Sequence, residues 1–420
     1  MDDISRVDID LSAVDHNIAR LRELVGPSTR ICPVVKSDAY GLGATRIARR
    51  LAGNGIEMFA VFTPAEATSL IAAGIPGTFL ILMPVRQVGR VDHLYRALVT
   101  DRVHLSAQDT AHVDALASLA DQHAVGISVH LEVDTGMVRC GCSELEAPSL
   151  LRRIDAHPRL RLAGVYSHFS SAATDAVETH AQMDRFEHLL DDCAMWIPGD
   201  CMIHVANSSG TLRSPRFHRS CVRVGGLWAG YGPDQIVTGE PSLIPQTELR
   251  PVVRWTSSIM QVRRVPAGTR VGYNQRWTTT RPTTLGVVPV GYADGYPTAL
   301  ARRDDARDLP ACVRVLANGL HPDDTPFAPV VGAVSMDMMS IDLTDVIEFT
   351  GERSVSEGTA VELIGTDHEA PNHMPRLARA AGLLPYQVLC GLSTSVPRTY
   401  IEPTRPTIVT TMSRRSLVAG

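Results

Sequence analysis

Lysine is all but missing from this 420-residue chain: of its 40 basic residues, Lys36 is the one lysine and the rest are arginine. A solvated surface cation tolerates exchange between the two, since either side chain stays charged there. An amine that must shed its proton and attack a carbonyl tolerates no such exchange, because guanidinium stays protonated at any working pH. Lys36 ends the apolar run of PVVKSDAYGLGA, residues 33–44. Burial and cationic neighbours there would bring its pKa down from about 10.4. Other scarcities exclude whole classes of function. Net charge is −5 with both signs scattered, and no basic block or aromatic–basic interleaving offers a nucleic-acid surface. Eight cysteines are too few for a disulfide framework, and most sit in apolar runs, such as Cys32 and Cys390, as expected of buried free thiols in a reducing compartment. The one tight pair, Cys140 and Cys142, has no second pair to complete a zinc site. MDDISRVDIDLSA lacks the basic and apolar regions of a signal peptide, and no apolar stretch is long enough to span a bilayer. A cytoplasmic location with no membrane partner is the expectation.

What is present is an ordinary globular balance, 44% hydrophobic and 20% charged, with length for about two domains. Eight short apolar runs recur through the first 230 residues: 31–35, 58–62, 78–82, 103–107, 127–133, 162–167, 202–206 and 221–225. Helix-period segments such as ATRIARRLAGNG and HAQMDRFEHLLDD separate them, several opening at Pro or Ser and ending at Gly. Eight strands each feeding a helix predict a parallel (β/α)8 barrel, of the TIM type, over an open doubly wound sheet. After YGPDQ the texture turns to short strands broken by Pro, Gly and Asp, with one helical segment, PNHMPRLARAAGL. The expected division is a barrel at 10–240, a mainly β domain at 241–402 joined by the first strand at 4–9, and a tail at 403–420.

In such barrels chemistry collects where the strands end. Lys36 follows the first strand, Arg139 of DTGMVR the fifth, His168 of HFSS the sixth and Asn207 of NSSG the seventh, while Arg223 leads into a Gly pair at the eighth. Small residues after the last two strands let backbone N–H groups approach phosphate oxygens. An amine facing a phosphate cradle points to a Schiff base with pyridoxal 5′-phosphate (PLP).

These residues sit in motifs that resemble one family along nearly the whole chain. RVDIDLSAVDHNI, VVKSDAYGLGA, DTGMVRCG, SHFSSA, ANSSG, RVGG, VPVGYADGYP, VVGAVSMDMMSIDLTD and SVPRTY occur in the order and spacing of the alanine racemases, the barrel-type PLP enzymes. The resemblance implies a barrel plus a C-terminal β domain. It also implies a head-to-tail homodimer whose active sites borrow from the other subunit, and racemisation of alanine by two bases. Lys36 would bind PLP, with Tyr40, Ser208, Gly225, Gly226 and Tyr386 on its phosphate, Asn207 and His168 beside it, and Arg223 at the pyridine nitrogen. Tyr273, from the partner, would be the second base. Arg139, Tyr292 and the Met336 backbone would meet the substrate, with Asp337 in support.

Four departures modify the picture. Glu132 stands where the family often has a carbamate-bearing Lys that orients the Arg, so it would orient Arg139 directly. Ser335 replaces a frequent Cys, and Asn274 replaces the usual Gly after the catalytic Tyr. Gly226 and Ala229 replace bulkier residues, which leaves open a roomier pocket admitting serine or larger amino acids. A barrel-type PLP decarboxylase or aldolase, or a non-catalytic PLP-binding protein, shares the lysine and the cradle but leaves Tyr273, GYADG and SMD without a role.

Overall fold

A computed structural model describes residues 4–232, 242–301, 311–321, 324–351 and 353–402. The boundary expected at 240 and the tail at 403–420 lie outside the described residues. The first strand is β1 (Ser5–Asp10). Eight parallel strands follow: β2 (Arg30–Pro33), β3 (Met58–Val61), β4 (Thr78–Ile81), β5 (Val103–Ala107), β6 (Ile127–Glu132), β7 (Leu160–Tyr166), β8 (Met202–His204) and β9 (Cys221–Val224). Strands β3 to β8 pair in chain order and β2 pairs with β9. The Val34–Ala60 bridge links β2 to β3, and the Arg223 N–H donating to the Ala206 carbonyl links β9 to the end of β8, closing the barrel.

The helices between strands start where the side-chain chemistry dictates. Thr63 and Glu66 form a reciprocal capping box at the helix Pro64–Ala72, and the Asp109 carboxylate caps Thr110–His123 by accepting from the His112 N–H at 2.6 Å. Inside the barrel, one sector is apolar, with Cys32, Met58, Ala60, Leu80, Met202 and Cys221 packed together. The opposite sector is polar: His104 and Ser106 from β5, His130 and Glu132 from β6, Tyr166, His204 and Arg223 hydrogen-bond across it. Cys390, expected to be buried, is exposed, because it lies on the short helix Pro385–Gly391, beside Lys36 at the barrel mouth, rather than in a core run.

The second unit is built on β10 (Val253–Ser258), β11 (Gln261–Val265), β12 (Arg270–Val271), β13 (Trp277–Thr278), β14 (Thr283–Val288), β15 (Cys312–Val315), β16 (Phe327–Val331), β17 (Met339–Asp342), β18 (Ala360–Ile364) and β19 (Arg398–Ile401). A nine-stranded sheet runs β11-β14-β17-β16-β15-β18-β10-β1-β19. The opening strand therefore belongs to this sheet, antiparallel to β10 and parallel to β19. Its alternation is legible in the burial of Val7 and Ile9. Two elements of this unit reach the barrel mouth: the helix Pro385–Gly391 carries Tyr386 there, and the edge strand β19 carries Arg398 and Tyr400.

Candidate active site

Lys36 opens a left-handed turn. Ser37, Asp38, Ala39 and Tyr40 all have φ between 52° and 59°, a conformation that costs an L-residue about 1–2 kcal/mol each. The surrounding structure holds it there. Glu66 Oε1 accepts from the Ser37 N–H at 2.7 Å, Asp38 Oδ1 accepts from the Ala44 N–H at 2.7 Å, and Arg398 donates to the Gly41 carbonyl at 3.3 Å. Tyr400 donates to the Leu42 carbonyl at 3.0 Å, and a Cβ on Gly43 would stand 1.9 Å from that hydroxyl. The result is a half-buried amine on a braced turn. Burial lowers the Lys36 pKa below its usual value and the Arg139 cation lowers it further, against a smaller opposing pull from Glu66.

Opposite the lysine, hydroxyls and glycine amides converge. Ser208 Oγ accepts from the Gly225 N–H at 3.0 Å, and the Tyr386 hydroxyl accepts from the Gly226 N–H at 3.1 Å. Tyr40 packs against Tyr386 with ring centroids 5.4 Å apart. A Cβ on Gly225 would lie 2.4 Å from the Tyr40 hydroxyl, and one on Gly226 would lie 2.5 Å from that of Tyr386 and 2.2 Å from the Tyr231 carbonyl. This corrects the roomier pocket expected at Gly226, since the volume a bulkier residue would fill is already taken. Asn207 is occupied locally: its side chain caps the helix Ser208–Arg213 through the Gly210 N–H at 2.9 Å.

Arg223 is buried beneath this cradle. It donates to the Ser167 carbonyl at 2.7 Å, to His204 Nδ1 at 2.6 Å and to His168 Nδ1 at 3.1 Å, with the Tyr166 ring 5.0 Å from its guanidinium carbon. Because guanidinium only donates, His168 Nδ1 accepts from it, and the Asn207 Nδ2 group stands farther off, 3.5 Å from Nε2. Burial, Arg223, Arg139 and Lys36 push the His168 pKa down to about 3, so the ring is neutral near pH 7. The expected Glu132–Arg139 contact is not among the ion pairs of the described residues: the Glu132 carboxylate accepts from Gln108 Nε2 at 2.8 Å and the Tyr166 hydroxyl at 3.0 Å, and Arg139 is exposed.

The remaining expected residues lie elsewhere. Tyr273, Tyr292 and Met336 are 72%, 48% and 54% exposed on the second unit, and Asp337 is exposed beside them. Backbone bonds from Tyr292 and Ala293 to Ser335 and Met336 hold the GYADG and SMD segments together, and Gly272 abuts Ala333. Asn274 has φ 57°, a left-handed position that explains why Gly is usual there and why Asn serves. Sequence reasoning missed Glu66, Arg398 and, in the polar barrel sector, His104, Ser106, His130, Tyr166 and His204. A histidine or charge at an inward strand position, as in VHLSA, ISVHLE and MIH, was the available signal.

Comparison with known proteins bears on this arrangement directly. The family description "Alanine racemase, N-terminal domain" matches residues 9–233, and "Alanine racemase, C-terminal domain" matches 252–400. An alanine racemase of Syntrophobacter fumaroxidans is 34% identical over 394 residues, covering 92% of this chain and 95% of that one. Among solved structures, the alanine racemase of D-cycloserine-producing Streptomyces lavendulae superposes with a TM-score of 0.81 at 27% identity, covering 96% of this chain and 98% of the other. That of Bartonella henselae, with covalently bound pyridoxal phosphate, gives 0.76 at 25%, covering 95% and 99%.

Proposed function

The chain belongs to the alanine racemase family of isomerases, and on that premise we propose that it interconverts L- and D-alanine with PLP, using Lys36 and the partner subunit's Tyr273 as its two bases. The observation that carries this reading is the chain's sole lysine on a braced turn, facing a cradle that only glycine fits. Tyr40, Ser208, Tyr386 and the amides of Gly225 and Gly226 would hold the phosphate. When bound, PLP withdraws electrons from the substrate's Cα–H bond and so lets that proton leave. Arg223 would face the pyridine nitrogen and, having no proton to yield, would keep that nitrogen unprotonated.

Lys36, with its lowered pKa, takes or returns the Cα proton on one face. The other face needs a group that this chain's mouth lacks and its exposed patch offers. A tyrosine of ordinary pKa, about 10, needs help to act as a base near neutrality. His168 Nε2–H, fixed by Arg223, would donate to the phenolate oxygen, and the Arg139 cation would stabilise it and meet the substrate carboxylate. Tyr292 and the Met336 amide would close the entrance from the same partner, so the working unit is a homodimer, acting in the cytoplasm.

Circular dichroism of L- and D-alanine incubated with the protein tests the activity. Shared sites are tested by mixing two inactive variants, Lys36→Ala and Tyr273→Phe. Random exchange of subunits leaves about a quarter of the sites with both bases, so activity returns on mixing. If mixing restores nothing, the two bases do not come from different subunits.

A further inference from the structure

Barrel interiors are ordinarily filled by branched aliphatic side chains. This one carries a row of three histidines below Arg223. Arg223 Nη1 lies 2.6 Å from His204 Nδ1, His204 Nε2 lies 2.9 Å from His130 Nδ1, and His130 Nε2 lies 2.9 Å from His104 Nδ1. At the far end His104 Nε2 faces Asp101 Oδ1 at 3.7 Å. Asp101 accepts in turn from Ser128 Oγ at 2.6 Å and Arg161 Nη2 at 2.8 Å. His104 also lines a cavity of about 560 Å³, together with Met58, Thr78 and Met202, at the amino-terminal ends of the strands. The row thus runs from the mouth of the barrel to its floor.

The fold makes room for it. Gly164 of β7 stands against His130, where a Cβ would come within 2.2 Å of Nδ1. The pairing of β6 with β7 also shifts register between Val129 and His130, so the strand bulges at the middle imidazole.

The direction of every bond in the row follows from its upper end. A guanidinium has no acceptor, so His204 Nδ1 accepts, and a neutral imidazole then carries its proton on Nε2. That proton is donated to His130 Nδ1, whose own Nε2–H donates to His104 Nδ1, leaving the His104 Nε2–H aimed at Asp101. Burial keeps the three rings neutral, lowering His104 to about 4 and the other two well below the usual imidazole value. Among the described residues no carboxylate forms an ion pair with the buried Arg223. The buried Glu132 carboxylate acts on Arg223 without touching it, and the aligned imidazole dipoles, each polarising the next, add the field of Asp101.

We propose that His204, His130 and His104 form a one-directional relay that positions Arg223 and couples it to Asp101 as a second, remote counter-ion beside Glu132. This rests on the placement of Arg223 at the pyridine nitrogen proposed above. The relay delivers no proton to the site, because its upper terminus keeps its own protons. It acts on the orientation and the field of the cation against the cofactor ring, so its members are positioning residues.

Nitrogen-15 NMR of the histidine-labelled holoenzyme reads the relay directly. The expected result is a protonated Nε2 and a bare Nδ1 at all three rings near pH 7; an Nδ1–H tautomer or an imidazolium at any of them overturns the proposal. His130→Leu opens the row, while His130→Gln keeps an acceptor and a donor in place. The leucine variant is expected to release His104 into both tautomers and to lower kcat about tenfold, the scale of a lost outer-shell partner, with KM for alanine held. Glutamine is expected to restore both readouts. Unchanged kcat in the leucine variant, or no rescue by glutamine, defeats the coupling. If His130→Leu does not fold, Asp101→Asn at the exposed floor carries the same test, a few-fold loss of kcat at constant KM being expected and no loss overturning the role of Asp101. The tautomers are readable whether or not alanine is racemised, so a wild-type protein that inverts no alanine defeats the functional reading separately.

Discussion

The barrel mouth and the exposed patch of the second unit carry two halves of one proposed site, and they are built in opposite ways. At the mouth, Lys36 sits on a strained turn braced by Glu66, Asp38, Arg398 and Tyr400, and Arg223 is tied to four acceptor groups. In the patch, no side-chain hydrogen bond holds Tyr273, Tyr292 or Met336 among the described residues, and Tyr273 is 72% exposed. The backbone there is set, the side chains are not. On the proposed reading, groups that would grip the cofactor are fixed by their own chain, whereas groups that would complete the site are left for a second copy to enclose.

The largest break in this comparison is Lys36→Arg. It keeps the charge and removes the releasable proton, so racemisation is expected to fall by about 10⁴-fold or more, with loss of the visible absorbance of lysine-linked pyridoxal. Tyr273→Phe should lower kcat by about 10²–10⁴-fold while leaving cofactor absorbance and thermal stability unchanged, because the hydroxyl braces nothing in its own chain. Lost stability in that variant would mean the patch is a structural element after all.

Acid separates the two regions by titration. His168 and His104 have folded pKa values lowered to about 3 and about 4, below the unfolded value near 6.5. Their stabilisation is complete above about pH 6.5 and is lost as pH falls toward the folded values, at about 1.4 kcal/mol per pH unit for each ring that the unfolded state protonates. Denaturant midpoints between pH 7 and pH 5 should therefore fall, and a barrel-core probe should report it. Gly226→Ala forces a methyl against the Tyr386 hydroxyl and the Tyr231 carbonyl, so it should cost about 1–3 kcal/mol and weaken PLP binding, read by cofactor titration. Smallest is Asn274→Gly in the patch, expected to change stability by only about a few tenths of a kcal/mol, since asparagine already tolerates φ 57°.

All eight barrel strands were legible in the sequence, because fully buried parallel strands read as apolar runs bounded by helix-start chemistry. The cluster of strand-end residues was legible for the same reason: once a barrel is inferred, Lys36, His168, Asn207 and Arg223 share one mouth. Exposure of Cys390 was not, since a six- or seven-residue stretch cannot distinguish a surface helix from a core run. The occupant of the space beside Gly226 was equally hidden, because it comes from Tyr386, 160 residues away. Glu132 illustrates a third limit: position in a motif suggested Arg139 as its partner, but side-chain reach across the barrel gave it to Gln108 and Tyr166.

The bracing of the left-handed turn also sets a schedule. A ribosome extrudes Gly41 and Leu42 early, yet their carbonyls wait for Arg398 and Tyr400, 357 and 358 residues later. At about 5–20 residues per second that interval lasts tens of seconds. Throughout it the barrel strands can assemble while the lysine turn has only its local braces from Glu66 and Asp38, so the nascent chain completes its proposed cofactor grip only as β19 emerges.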